Sequence, residues 1–234
     1  ITPDSTAFAS NVAFSKQWLD SLNTFDLNGL NDNNKISLNI IKNQLASDIW
    51  YITVFKQQEW DASIYNIAGE CDYIINQPYA PLDERLVTLS KHLETTDAYY
   101  QAALAMLNKP SKEHVELAIL QNQGGASVFG AALMDSINAS HLSDADKTKL
   151  QGNITKATAA INRYVDGLKA IVADKNYAFR DFRIGKELFT EKFKYDLATD
   201  FTPEQVYEKA NADKQLYHAK MAGIARSLWT KYYD

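Results

Sequence analysis

The stretch PLDERLVTLSKHLETTDAYYQAALAML, residues 81–107, decides the fold. Leu82, Leu86, Leu89, Leu93, Tyr100, Ala103 and Leu107 recur at alternating spacings of three and four, which places them on one stripe of a helix about seven turns long. Only Thr96 interrupts the stripe. Asp83, Glu84, Arg85, Lys91, Glu94 and Asp97 fall mostly off it, so one face is apolar and the other wet. Burying a Leu contributes about 1.5–3 kcal/mol, whereas an exposed Glu–Lys pair contributes at most about 1 kcal/mol. The apolar stripe therefore decides where this helix sits, and it must find partners.

Working outward, the flanks supply them. Residues 4–23 carry Phe8, Val12, Leu19 and Leu22 at helical spacing. A polar run, 28–34, reads as a loop by its turn chemistry. A second helix is expected from about residue 32 or 37 to 60, with Leu38, Ile41, Leu45, Ile49, Ile52 and Phe55 on its inner face, and a shorter third one over 61–76. Pro78 and Pro81 force a turn before the central helix. Beyond it, Ser111 is placed to cap the next helix, and Gly124-Gly125 marks a kink, a break or a close helix contact. Ser143 and Asp146 resemble a capping box, and Leu150, Ile154, Ala157, Ile161, Tyr164, Leu168 and Ile171 follow without a gap. A helical stretch over 176–197 is expected to turn Phe182, Phe189 and Phe193 inward. Thr202, Pro203 and Gln205 then open a last helix that runs almost to the end. No segment alternates with period two for long enough to be a strand. The expectation is an all-α fold, a multi-helix array of eight or nine long antiparallel helices in a single helical domain spanning 1–234.

Composition narrows the function classes. A formal charge of -5 with no basic cluster argues against a nucleic-acid partner. No apolar run approaches the roughly eighteen residues needed to span a bilayer. The single Cys71 rules out an internal disulfide and a cysteine-built zinc site, and its apolar helical neighbours point to a packed thiol. The chain starts at Ile1 rather than Met, which raises the expectation of a processed or trimmed polypeptide. His92, His114, His141 and His218 are scattered and form no His-Glu-x-x-His arrangement, so no metal ligand and no cofactor is assigned within this chain. Nor is there a nucleophile elbow or a phosphate-cradling glycine loop. No catalytic residue is assigned. One segment stands out: Arg180, Asp181, Arg183, Lys186 and Glu187 interleave with Phe179, Phe182 and Phe189 around Gly185. The plainer reading is an amphipathic helix with surface ion pairs. The functional reading is a charged cleft wall of Arg183 and Glu187, in which Arg183 holds a carboxylate in a fork.

The order of segments carries a resemblance. Trp60-Asp61-x-x-x-Tyr65, Tyr79-Ala80-Pro81 with Glu84-Arg85-Leu86, Leu104 to Pro110, and Ala118-Ile119 with Gln121 and Gly124 come first. Phe182-Arg183-x-Gly185-x-Glu187-Leu188-Phe189 and Thr202-Pro203-Glu204-Gln205 follow. From about Phe8 to its end the chain resembles the bacterial family known as domain of unknown function 885. The resemblance implies a helical protein related to zinc metallopeptidases of the gluzincin type, longer than this chain, and often exported, some members as lipoproteins. It also implies a zinc motif, His-Glu followed by Pro-Gly-His, in a C-terminal half that this sequence lacks. The expected role is therefore that of an N-terminal helical region, walling a peptide cleft and docking the missing C-terminal half of its own polypeptide. Its expected location is the periplasm or a lipoprotein anchor. The alternative is a stand-alone, non-catalytic all-α binding or scaffold protein of the cell envelope.

Overall fold

The computed structural model describes residues 2–233, and it is all-α. Ten helices have nine residues or more: α1 (Ser5–Asn23), α2 (Asp32–Trp50), α4 (Ala68–Asn76), α5 (Leu82–Leu93), α6 (Thr96–Met106), α7 (Lys112–Gly125), α8 (Ala131–Ala139), α9 (Asp144–Ala173), α10 (Gly185–Leu197) and α11 (Pro203–Tyr232). A single turn, α3 (Gln57–Trp60), lies between α2 and α4. The described residues divide into two compact units: 2–20 with 48–183, and 21–47 with 184–233.

The core of the first unit is built on α9, against which α5, α6 and α7 all pack. Its stripe of Leu150, Ala157, Ile161, Tyr164 and Leu168 is buried, as are Leu86, Leu89, Leu93, Tyr100 and Ala103 opposite. Two glycines permit close approaches. A β-carbon on Gly167 would stand 2.7 Å from Leu104, and one on Gly125 would stand 2.5 Å from the β-carbon of Ala68. Gly125 is thus the close helix contact of the Gly-Gly pair, whereas Gly124 has open space around it.

The expected helix over 81–107 is divided. Thr95 leaves the helical path at φ -100° and ψ 1°, and a new helix starts at Thr96. The Thr95-Thr96 pair is the cause. Both residues are β-branched, and the Thr95 hydroxyl donates to the His92 carbonyl at 3.4 Å. The division raises the helix count from nine to ten while keeping the stripe continuous, because Thr96 itself is buried on it.

The second and third expected helices also end differently. α2 passes into a π-helical turn at Tyr51–Phe55, and Lys56 stops it at φ 52°. The carbonyls released there are taken by side chains: Gln58 Nε2 donates to Ile52 at 2.9 Å and Trp60 Nε1 to Phe55 at 2.9 Å. Residues 61–67 are not helical beyond one 3-10 turn, because the Asp61 carboxylate accepts from the Ser63 amide at 3.0 Å and offers the chain an alternative to the helix. Residues 176–184 are irregular for a similar reason, with Asp174 and Asp181 accepting from the amides two residues on. Phe182 and Phe189 are exposed rather than turned inward.

In the second unit α11 begins as its sequence dictates. The Gln205 amide donates to Thr202 Oγ1 at 3.2 Å, and the Thr202 amide donates to Gln205 Oε1 at 2.8 Å. Within the same unit Asn43 Nδ2 donates to the Tyr195 carbonyl at 2.8 Å. Neither α10 nor α11 has a buried residue.

Candidate functional site

The first unit holds a cavity of about 550 Å³ lined by Ile64, Asn66, Ile67, Glu70, His92 and Tyr99, with Thr95 and Thr96 at one end. Its walls come from three pieces of local chemistry. The first is the segment 58–67, the end of α3 and the irregular stretch after it, which would leave backbone groups unpaired if it were held by packing alone. Buried side chains pair them instead. Tyr65 Oη donates to the Gln58 carbonyl at 2.7 Å, Tyr164 Oη donates to Ala62 at 3.0 Å, and Asn122 Nδ2 donates to Tyr65 at 3.1 Å. The Ile67 amide donates to Tyr100 Oη at 3.3 Å, and that hydroxyl donates to Asn122 Oδ1 at 2.6 Å. Helices α6, α7 and α9 thus each contribute a polar side chain that holds one wall.

The second piece is the α4–α5 pair. Arg85 reaches back from α5 to the end of α4, where its guanidinium donates to the carbonyls of Ile74 (3.1 Å) and Ile75, and to Ala80 in the turn between the two helices (3.0 Å). The last carbonyls of a helix are a favourable seat for a cation. This latch sets the register that brings Glu70 of α4 to His92 of α5, with a carboxylate oxygen 3.2 Å from Nε2. Glu70 also acts electrostatically on its surroundings. Burial, and then this carboxylate, push both the Cys71 thiol and the Tyr99 hydroxyl up to about 12. Cys71 is fully buried, a packed thiol.

The third piece is the start of α6. Thr96 is 2% exposed, and its hydroxyl has no hydrogen-bond partner among the described residues. Such a group costs about 1–3 kcal/mol and calls for an explanation.

A second polar cluster has the residue types of a nucleophilic triad. Ser111 Oγ lies 2.5 Å from His114 Nδ1, and His114 Nε2 lies 3.9 Å from an Asp61 oxygen. Substrate cannot reach this serine. Ser111 is fully buried and caps α7, accepting from the His114 amide at 3.3 Å. The cluster joins α3 to α7, and the Arg180 guanidinium covers the adjoining Trp60 ring at 4.6 Å.

The residues singled out in the sequence lie elsewhere. Arg183, in the first unit, is exposed, stands 3.5 Å from Asp181 and lies over the Phe182 ring at 4.6 Å. Glu187, in the second unit, is exposed in the first turn of α10. His141 and His218 are exposed, while His92 and His114 are half-buried. Among the described residues no group of three or more His, Cys, Asp or Glu side chains is placed to hold a metal ion. No described helix is long and apolar enough to cross a membrane. Sequence reasoning missed the Glu70–His92 pair, since the two lie on different helices and no spacing links them.

Comparison with known proteins adds the family. A solved structure described as "a putative lipoprotein of unknown function from Shewanella oneidensis" is similar to this chain, with 40% sequence identity and a TM-score of 0.86. The match covers 100% of this chain, which spans 43% of that protein. No curated protein matches it. The family model described as bacterial protein of unknown function (DUF885) matches residues 2–233, nearly the whole length, and the chain belongs to that family.

Proposed function

We propose that this chain forms the helical wall of a peptide-binding cleft in a longer, peptidase-like protein of the bacterial cell envelope, and that the remainder of that protein docks on it. The observation that carries the reading is the bare apolar face of α11. Tyr217, Met221, Ile224 and Leu228 repeat at helical spacing and are all exposed, with Trp229 and Tyr232 beside them. A thirty-residue helix draws its stability chiefly from packing an apolar face, and here no residue of that helix is buried. The similarity to the Shewanella lipoprotein supports the reading, since more than half of that protein lies outside the match and could cover such a face. Its description also supports export and a lipid anchor.

Arg183 and Glu187 are the residues assigned to the cleft wall, Arg183 to grip a carboxylate of the peptide. Zinc, which the resemblance implies for longer relatives, finds no fitting donor set among the described residues. Its ligands and the hydrolytic step therefore belong to the rest of the protein.

An immunoblot of the source cells, raised against this chain, tests the reading. The expected band lies well above 26.3 kDa. A band at 26.3 kDa would overturn it in favour of a stand-alone, non-catalytic binding or scaffold protein. Arg183→Ala in the full-length protein should weaken peptide binding about tenfold without moving the urea midpoint; an equal loss of both would remove Arg183 from the cleft.

A further inference from the structure

We propose that the cavity between α4, α5 and the start of α6 binds an organic ammonium group on a short apolar chain, with Glu70 as its counter-charge and Tyr99 as its aromatic wall. The inference goes beyond the cleft-wall reading and does not depend on it.

Charge selects the ligand class. Glu70 is the acidic side chain lining the cavity, with His92 beside it, Nε2 3.2 Å from the carboxylate. An anion is disfavoured by that carboxylate, and the first turn of α6, whose dipole would otherwise attract one, carries Asp97. A divalent cation would find two donors and no third. An ammonium group needs less: a carboxylate and a π-face within reach. Glu70 and Tyr99 supply these in turn.

Shape and polarity agree. Ile64 and Ile67 line the same cavity, and about 550 Å³ leaves room for several carbons beyond the charged head.

Calorimetric titration of the 234-residue chain tests this. The probes are n-butylamine, with n-butanol as the uncharged control, and alanyl-leucine amide, with its N-acetyl form as control. At least one amine should bind saturably and its control should not. Binding of both amines assigns a general ammonium site; binding of the dipeptide alone assigns a peptide amino end. Glu70→Gln, at a side chain that is 74% exposed, should fold normally and weaken binding about tenfold or more. The proposal is overturned if neither amine saturates, if a control binds as well as its amine, or if Glu70→Gln binds as tightly as the parent.

Discussion

The two units of the chain have similar sequence patterns and opposite fates. In the first, most of the stripes of α5, α6 and α9 is buried, with Leu89, Ala103 and Leu168 at 0%. In the second, α11 repeats apolar residues at the same spacing, yet Tyr217, Met221 and Ile224 are each about 60% exposed. Periodicity reports that a face is apolar; it does not report that anything covers it. The first unit is a hydrophobic core with polar pins, whereas the apolar face of α11 faces water.

The largest test of this contrast is a matched pair of truncations. Leu168→Ala should cost about 2–5 kcal/mol in urea denaturation, whereas Ile224→Ala should stay within about 0.5 kcal/mol. Similar costs at both positions would erase the difference between the units. Next in size is Tyr100→Phe, which leaves Asn122 Oδ1 and the Ile67 amide without their hydroxyl and should cost about 1–3 kcal/mol. A neutral result would show that the wall of 58–67 is held by packing alone.

Alkali should act on the first unit through its buried acids. Burial raises Tyr65, Tyr100 and Tyr164, and brings Tyr99 and Cys71 up to about 12. Groups held neutral in this way contribute their full stability below the unfolded values, near 9.0 for the thiol and 10.0 for the phenols. That contribution is lost as pH rises from there towards about 12. Urea midpoints measured across this range should fall as the tyrosinate absorbance of the unfolded chain rises; midpoints that hold steady would place these phenols in water.

A smaller effect separates adjacent residues. Gly125→Ala drives a β-carbon into Ala68 and should destabilise by about 1–3 kcal/mol, while Gly124→Ala meets open space and should gain up to about 1 kcal/mol. Both values come from the same melts. The smallest signal concerns the second unit: the 234-residue chain should bind a hydrophobic dye in its native state, and Met221→Lys with Ile224→Lys should reduce that binding without lowering the melting temperature. Undiminished binding would move the exposed patch away from α11.

Much of the architecture was legible in the sequence. The caps at Ser111 and Thr202 formed where the residues called for them, as did the Ser143 hydroxyl on the Asp146 amide. The division at Thr95 had a local signal, two β-branched residues in a row. The irregular stretch 61–67 had only a faint one, Asp61 two residues before Ser63, against a helical spacing of Ile64, Ile67 and Cys71. The cavity left no signal, because Glu70, His92 and Tyr99 come from three helices and meet only when Arg85 latches α4 to α5.

By itself, then, the sequence determined what is local: most of the helical segments, where hydroxyls start them, and which face of each is apolar. Those properties arise from contacts within about four residues along the chain. The tertiary structure alone decided which apolar faces are covered, which buried backbone groups Tyr65, Tyr100, Asn122 and Tyr164 satisfy, and that a carboxylate and an imidazole share one cavity. Each of these depends on residues distant in sequence, whose juxtaposition is set by the packing of whole helices.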